Sequence, residues 1–186
     1  MNKLETIVNH LYQWPSDINE HIPTLIKYGS ECNHITEMGV RWITSTWAFL
    51  GSAPEKLISY DMEYPSLWGK DSQHMSVDAV SRGYNTLEEV YEVAQEFNIG
   101  YEFIKANVLD VEIEQTDLLF LDTWHSYKQL KAELSLHSPK ANKYIIFHDT
   151  TSYATYNETN YEILGPEWKL IERFYNNNGL TIIGKI

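Results

Sequence analysis

Leu118-Leu119-Phe120-Leu121-Asp122 and Tyr144-Ile145-Ile146-Phe147-His148-Asp149 decide how this chain folds. Each is a near-continuous apolar run that stops at a polar residue. Strand side chains alternate between two faces, so a run without alternation fits a strand covered on both, as in a parallel sheet. Three further runs end the same way: His34-Ile35-Thr36-Glu37, Leu57-Ile58-Ser59-Tyr60-Asp61 and Tyr101-Glu102-Phe103-Ile104-Lys105-Ala106-Asn107. Helical stretches lie between them, over residues 44–50, 86–97 and 127–137. In the second, Leu87, Val90, Tyr91, Ala94 and Phe97 recur at helical spacing, and Thr86 with Glu89 forms a capping box. Strands alternating with helices predict right-handed βαβ units in a three-layer α/β sandwich.

The two ends depart from this alternation. Residues 168–174 and 180–186 are strand-like runs joined by Asn176-Asn177-Asn178-Gly179, a turn sequence, and predict a β-hairpin. The fold is thus expected to be a doubly wound, Rossmann-like sheet of seven strands, mostly parallel, with a C-terminal antiparallel hairpin. Residues 1–33 form a helical extension before the first strand, within a single domain spanning 1–186. Residues 62–85 are longer than an ordinary βα connection and are expected to be a lid or insertion. Residues 150–166 leave little room for a full last helix, which would open that side of the sheet or leave it to a second subunit, so a homo-oligomer is one expectation.

Composition narrows the function. The 186 residues carry 14 Lys plus Arg against 26 Asp plus Glu, a net charge of −12, and 43% of them are hydrophobic. No two basic residues are adjacent, so nothing offsets the repulsion of a phosphate backbone, and nucleic acid is not an expected partner. No apolar stretch approaches the roughly 20 residues of a membrane helix. The lone Cys32 allows no internal disulfide and fits a reducing, cytoplasmic setting.

Ligands of an open parallel sheet bind beyond the carboxyl ends of its strands. The five runs end at Glu37, Asp61, Asn107, Asp122 and Asp149, which places polar groups along one edge. After Glu37 the chain passes through Gly39 into a helix opening with Thr44, Ser45 and Thr46, a turn that lets a ligand approach backbone N–H groups near a helix N-terminus. Asp61 follows Gly39 by about 22 positions, the spacing at which an acidic side chain accepts from a ribose diol.

These residues resemble a known family. Glu37-x-Gly39 with Ser45-Thr46, then residues 117–127 and 144–150, are similar to class I S-adenosylmethionine-dependent methyltransferases, specifically the small single-domain group close to sugar and macrolide O-methyltransferases. The resemblance covers roughly residues 16–186. It implies that Glu37 and Gly39, with Ser45 and Thr46 nearby, hold the methionine end of S-adenosylmethionine. It further implies that Asp61 takes the ribose and that Asn107 with the backbone of Val108 lies by the adenine. Asp122-x-x-His125 implies O-methylation of a small-molecule acceptor, a sugar hydroxyl, with His125 as general base. An imidazole suits that task because its ordinary pKa is close to neutrality.

The family's divalent-metal position corresponds to Asp122, His148 and Asp149. Imidazole replaces one carboxylate there, which leaves Mg²⁺, Mn²⁺, a softer transition metal or no metal open. The chain also departs from the family at Trp42-Ile43, where a second glycine is common. Two alternatives stand beside this reading. One is a nucleotide-binding oxidoreductase or epimerase, although Gly-x-Gly-x-x-Gly is missing. The other is a catalytically silent cofactor-binding domain. Asp117, at the start of a strand, is expected to be structural, and Trp124 to be either pocket wall or core. His10, His21, His34, His74 and His137 are given no role.

Overall fold

The computed structural model describes residues 1–65, 83–152 and 164–186. Most of the expected lid at 62–85, and the segment where the last helix was expected to be cut short, lie outside these residues. The strands are β1 (His34–Met38), β2 (Lys56–Asp61), β3 (Gly100–Lys105), β4 (Thr116–Leu121), β5 (Ala141–His148), β6 (Trp168–Phe174) and β7 (Leu180–Lys185). They form one sheet in the order β3-β2-β1-β4-β5-β7-β6. β1 to β5 pair in parallel, and β7 runs antiparallel to both β5 and β6. The expected mostly parallel sheet with its C-terminal hairpin is therefore present. Strand order reverses between β1 and β4, so the carboxyl ends of those two strands frame the crevice where this architecture binds ligands.

Continuous apolar runs fill two cores at once. Ile35, Leu57, Leu118, Phe120 and Ile146 point to one face of the sheet, whereas Met38, Ile58, Leu119, Leu121, Ile145 and Phe147 point to the other. The first face is covered by α1 (Lys3–Gln13), α2 (Ile22–Gly29), α3 (Thr44–Gly51) and α4 (Leu87–Glu96); the second is covered by α5 (Tyr127–His137). α4 begins at the capping box read from Thr86 and Glu89, with both reciprocal bonds present. Asp117, at the opposite edge from the crevice, accepts from the Asn33 backbone N–H at 2.8 Å.

The hairpin turn also positions residues near the crevice. Asn177, Asn178 and Gly179 take left-handed φ values of 47°, 66° and 90°, which Asn and Gly tolerate best. The turn is tied to the N-terminal extension. Asn177 Nδ2 donates to the Ser16 carbonyl at 2.7 Å, and the His21 imidazole lies 3.1 Å from the carbonyls of Asn176 and Asn177. Residues 16–21 are thereby pinned beside the carboxyl end of β5.

Candidate active site

The loop from β1 into α3 carries backbone strain. Gly39, Arg41 and Ile43 have φ of 90°, 43° and 64°. At Gly39 a Cβ would collide with the Asp122 backbone carbonyl, so only glycine fits between the two central strands. At Trp42-Ile43, where the family commonly has a second glycine, Ile43 itself adopts the left-handed conformation, as does Arg41 just before the pair. Two features hold them there. The N–H groups of Val40 and Arg41 donate to Asp61 Oδ2 at 2.8 and 3.0 Å, and the Ile43 side chain is fully buried.

Beyond this loop lies a cavity of about 560 Å³, lined by Gly39, Trp42, Asp61, Asn107, Val108, Trp124 and Gln129, with Asp122 and His125 among its further walls. That volume falls within the range of small-ligand and cofactor sites. Asn107 caps a short turn, its Oδ1 accepting from Leu109 N at 3.1 Å. Trp124, with 75% of its surface exposed, is cavity wall rather than core.

Glu37, Ser45 and Thr46 lie beneath the cavity rather than on its wall. Glu37 is completely buried and accepts three hydroxyl bonds, from Ser45 (2.6 Å), Thr46 (2.7 Å) and Ser59 (2.6 Å). Burial pushes its carboxyl up to about 7; the hydroxyl donors oppose that shift and the charge of Asp122 adds to it. A raised carboxyl pKa means the folded chain keeps the proton longer than the unfolded chain. This stabilisation is complete below about 4.5 and is lost as pH rises through 7, roughly 3 kcal/mol at 1.36 kcal/mol per pKa unit. Glu37→Gln cannot ionise, so its denaturant midpoint should lack this decline between pH 4.5 and 7. A variant that declines as steeply as the native chain would place the titrating group elsewhere.

At the end of the cavity two carboxylates and two imidazoles converge. His125 Nε2 is 2.6 Å from Asp149 Oδ2 and 3.5 Å from Asp122 Oδ1. His148 Nδ1 is 3.3 Å from Asp122 Oδ2 and 3.7 Å from Asp149 Oδ2. The other ring nitrogen of His148, Nε2, meets the Asp17 main-chain carbonyl at 3.0 Å. That acceptor places a proton on Nε2 and leaves Nδ1 as the ring nitrogen that faces the carboxylates. Asp149 holds a left-handed φ of 59°, a strain of the kind that gathers at functional sites.

The charges perturb one another. Burial drives His125 down, but hydrogen bonds and charge from Asp122 and Asp149 outweigh it and raise the imidazole to about 9. His148 is likewise raised against burial, chiefly by Asp122. Asp122 is held well below the usual carboxylate range, burial being overcome by His148 and His125.

Asp122, His148 and Asp149 each offer a ligand atom within 4.8 Å of the others. His148 Nδ1 and Asp149 Oδ1 are buried without a hydrogen-bond partner among the described residues. With Nδ1 deprotonated, these atoms and an Asp122 oxygen would fit a divalent cation of intermediate softness, two oxygens and one nitrogen being available.

Several site residues have no signature in the sequence. Asp17 acts through its backbone. His21 stacks edge-on to His148 with ring centroids 5.9 Å apart, and His137 Nε2 meets the Val108 carbonyl at 2.8 Å. Glu133 is fully buried behind the wall; it accepts from Thr123 Oγ1, and from Gln129 Nε2 at 2.8 Å. Helical spacing links Gln129 to Glu133, which was the available signal for that pair.

Comparison with known proteins identifies the fold. No family model matches the chain, and no curated protein matches it in sequence. Solved structures do match. Magnesium protoporphyrin IX methyltransferase (ChlM) from Synechocystis PCC 6803, with bound SAM, is similar with a TM-score of 0.60 and 12% identity, over 100% of this chain and 85% of that one. An O-methyltransferase from Bacillus cereus in complex with SAH matches with a TM-score of 0.58 and 11% identity, over 98% of this chain and 90% of that one. A methyltransferase from Geobacter sulfurreducens matches at 0.59 and 11%, over 90% and 78%. The chain has the class I methyltransferase fold. Among the described residues, no helix is long and apolar enough to cross a membrane.

Proposed function

We propose that this protein is an S-adenosylmethionine-dependent O-methyltransferase. The observation that carries the reading is the junction of one cavity with one charged cluster at the strand-order reversal. Gly39, Asp61, Asn107, Val108 and Trp124 wall the cavity together with Asp122 and His125, and Asp149 is buried behind them against His125. The nucleoside lies along Asn107, Val108 and Trp124, with its ribose at Asp61. The aminoacyl group extends over Gly39, and the methyl points towards His125. Glu37, Ser45 and Thr46 serve the methionine end from below, by fixing the loop over which it lies.

Methyl transfer forms an O–C bond as the S–C bond breaks, and the acceptor hydroxyl releases a proton. His125 takes that proton as general base, with Asp122 and Asp149 orienting its ring. Asp122, His148 and Asp149 would hold a divalent cation, Mg²⁺ or Mn²⁺ among the candidates, which supplies positive charge that lowers the pKa of a hydroxyl ligand. The acceptor is a small molecule; a sugar hydroxyl is favoured by the likeness of Asp122-x-x-His125 to sugar O-methyltransferases. The net charge of −12 opposes a nucleic-acid acceptor, and the lone Cys32 favours a reducing, cytoplasmic setting.

Calorimetric titration with S-adenosylhomocysteine, S-adenosylmethionine and NAD separates this reading from its rivals. The first two ligands should bind and NAD should not; the reverse would favour an oxidoreductase. Asp61→Ala should weaken S-adenosylhomocysteine by about 1.5–3 kcal/mol, the range for a charge-assisted partner. Unchanged affinity would move the ribose away from Asp61. Binding without methyl transfer to any hydroxyl acceptor would leave the silent domain.

A further inference from the structure

Among the described residues, Arg41 is the one arginine or lysine that lines the cavity. Its place is fixed from two sides. Its backbone N–H is held by Asp61 Oδ2 at 3.0 Å, and its guanidinium stacks on the Trp42 ring with the central carbon 3.8 Å from the centroid. Nη1 lies 3.0 Å from Asp17 Oδ2, one nitrogen to one oxygen. No other hydrogen bond from the guanidinium is formed among the described residues. Half of the Arg41 side chain and 29% of that of Asp17 remain exposed, so the pair is screened by water and easily exchanged. A guanidinium presents a fork of donors matched to a carboxylate, and here a single point of that fork is engaged.

The surroundings make the cation conspicuous. The chain carries a net charge of −12, and Asp61 and Asp122 add negative charge to the cavity wall. Among the described residues, a carboxylate at the Gly39 end of the cavity, away from His125, would find its cationic partner in Arg41. We infer that Arg41 anchors the aminoacyl carboxylate of the cofactor, and that the Asp17 side chain is a stand-in which that carboxylate displaces. The inference rests on the cofactor reading above. The position favours the cofactor over an anionic acceptor as the source of the carboxylate. Arg41 stands two residues beyond Gly39, in the loop over which the aminoacyl end lies, whereas Asn107 and Val108 across the cavity take the nucleoside. Because the Asp17 main-chain carbonyl is engaged by His148, its side chain can release Arg41 without loss of that backbone contact.

The test is a calorimetric titration of the full chain and of Arg41→Gln, Arg41→Lys and Asp17→Asn. Two ligands are compared: S-adenosylhomocysteine and 5′-methylthioadenosine, which keeps the nucleoside and sulfur but has no carboxylate. Arg41→Gln should weaken S-adenosylhomocysteine about 10- to 100-fold and leave 5′-methylthioadenosine unchanged. Arg41→Lys, which keeps the charge but not the fork, should recover part of the loss. Asp17→Asn, with the stand-in carboxylate removed, should bind S-adenosylhomocysteine at least as tightly as the native chain.

An equal loss for both ligands would overturn the assignment, making Arg41 a support of the nucleoside wall. So would unchanged binding of both; a rise in acceptor KM confined to anionic acceptors would then give Arg41 to the acceptor. A native chain that binds neither nucleoside overturns the cofactor reading itself, and the anchor with it. Binding of both nucleosides with no effect of Arg41 overturns the anchor alone.

Discussion

Replacing His125 with alanine is expected to lower kcat about 10²–10⁴-fold, the usual worth of a positioned general base, while S-adenosylhomocysteine still binds. The separation follows from the proposed layout, in which the cofactor would lie along Gly39, Asp61 and Asn107, while His125 stands at the far end of the cavity beside Asp122 and Asp149. The pH profile carries a second signature. From sequence alone the basic limb belongs near an ordinary imidazole value, roughly 6.5. Burial would lower it further, but Asp122 and Asp149 hold a proton on His125 up to about 9. Rate should therefore rise with pH through a limb near 9 when measured in excess EDTA, and the limb should vanish in His125→Ala. A cation on Asp122 and Asp149 would draw on the same carboxylates, so adding Mn²⁺ should move the limb to lower pH. A variant that keeps more than about half of kcat, against the usual worth of a base, would make His125 a positioning residue. His148 would then be the next candidate base.

Gly39→Ala should unfold the site. The added Cβ meets the Asp122 backbone carbonyl, and φ of 90° is one that L side chains resist. Backbone strain of this kind costs about 1–3 kcal/mol, and forced overpacking adds roughly as much again. Thermal unfolding should fall by roughly 10 °C for a chain of this size, and S-adenosylhomocysteine binding should be lost with it. Gly83→Ala supplies the control: its φ of 73° is also left-handed, but among the described residues no atom lies within 4 Å of the added Cβ. It should show the backbone cost alone. Equal midpoints for the two variants would mean that the β1 and β4 ends are not packed as closely as the structure has them.

The sheet was readable because burial writes itself into the sequence. Leu118–Leu121 and Tyr144–Phe147 lack alternation because β4 and β5 are covered on both faces. The hairpin was readable because left-handed turns select Asn and Gly. Strand ends at Asp61, Asn107, Asp122 and Asp149 gave the edge of the site directly. The loop after β1 was harder to read. Arg41 and Ile43 hold φ values that local propensity assigns to glycine, and tertiary contacts, two N–H bonds to Asp61 and the burial of Ile43, impose them. Glu37 was legible as a polar strand end but not as a buried one, since its enclosure depends on Ser59 from the neighbouring strand. Asp17 was illegible for a different reason: it receives His148 through a main-chain carbonyl, and any residue has one. His21 reaches the cluster only because Asn176 and Asn177 on the distant hairpin turn hold it there.

A crystal structure of the chain with S-adenosylhomocysteine tests the central claim most directly. The account predicts adenine between Val108 and Trp124, ribose hydroxyls at Asp61 and the aminoacyl group over Gly39. It also predicts that the sulfur faces the cluster of His125, Asp122 and Asp149, leaving room for an acceptor oxygen between them. A ligand bound away from the Gly39 edge would contradict it, as would one whose sulfur points away from His125.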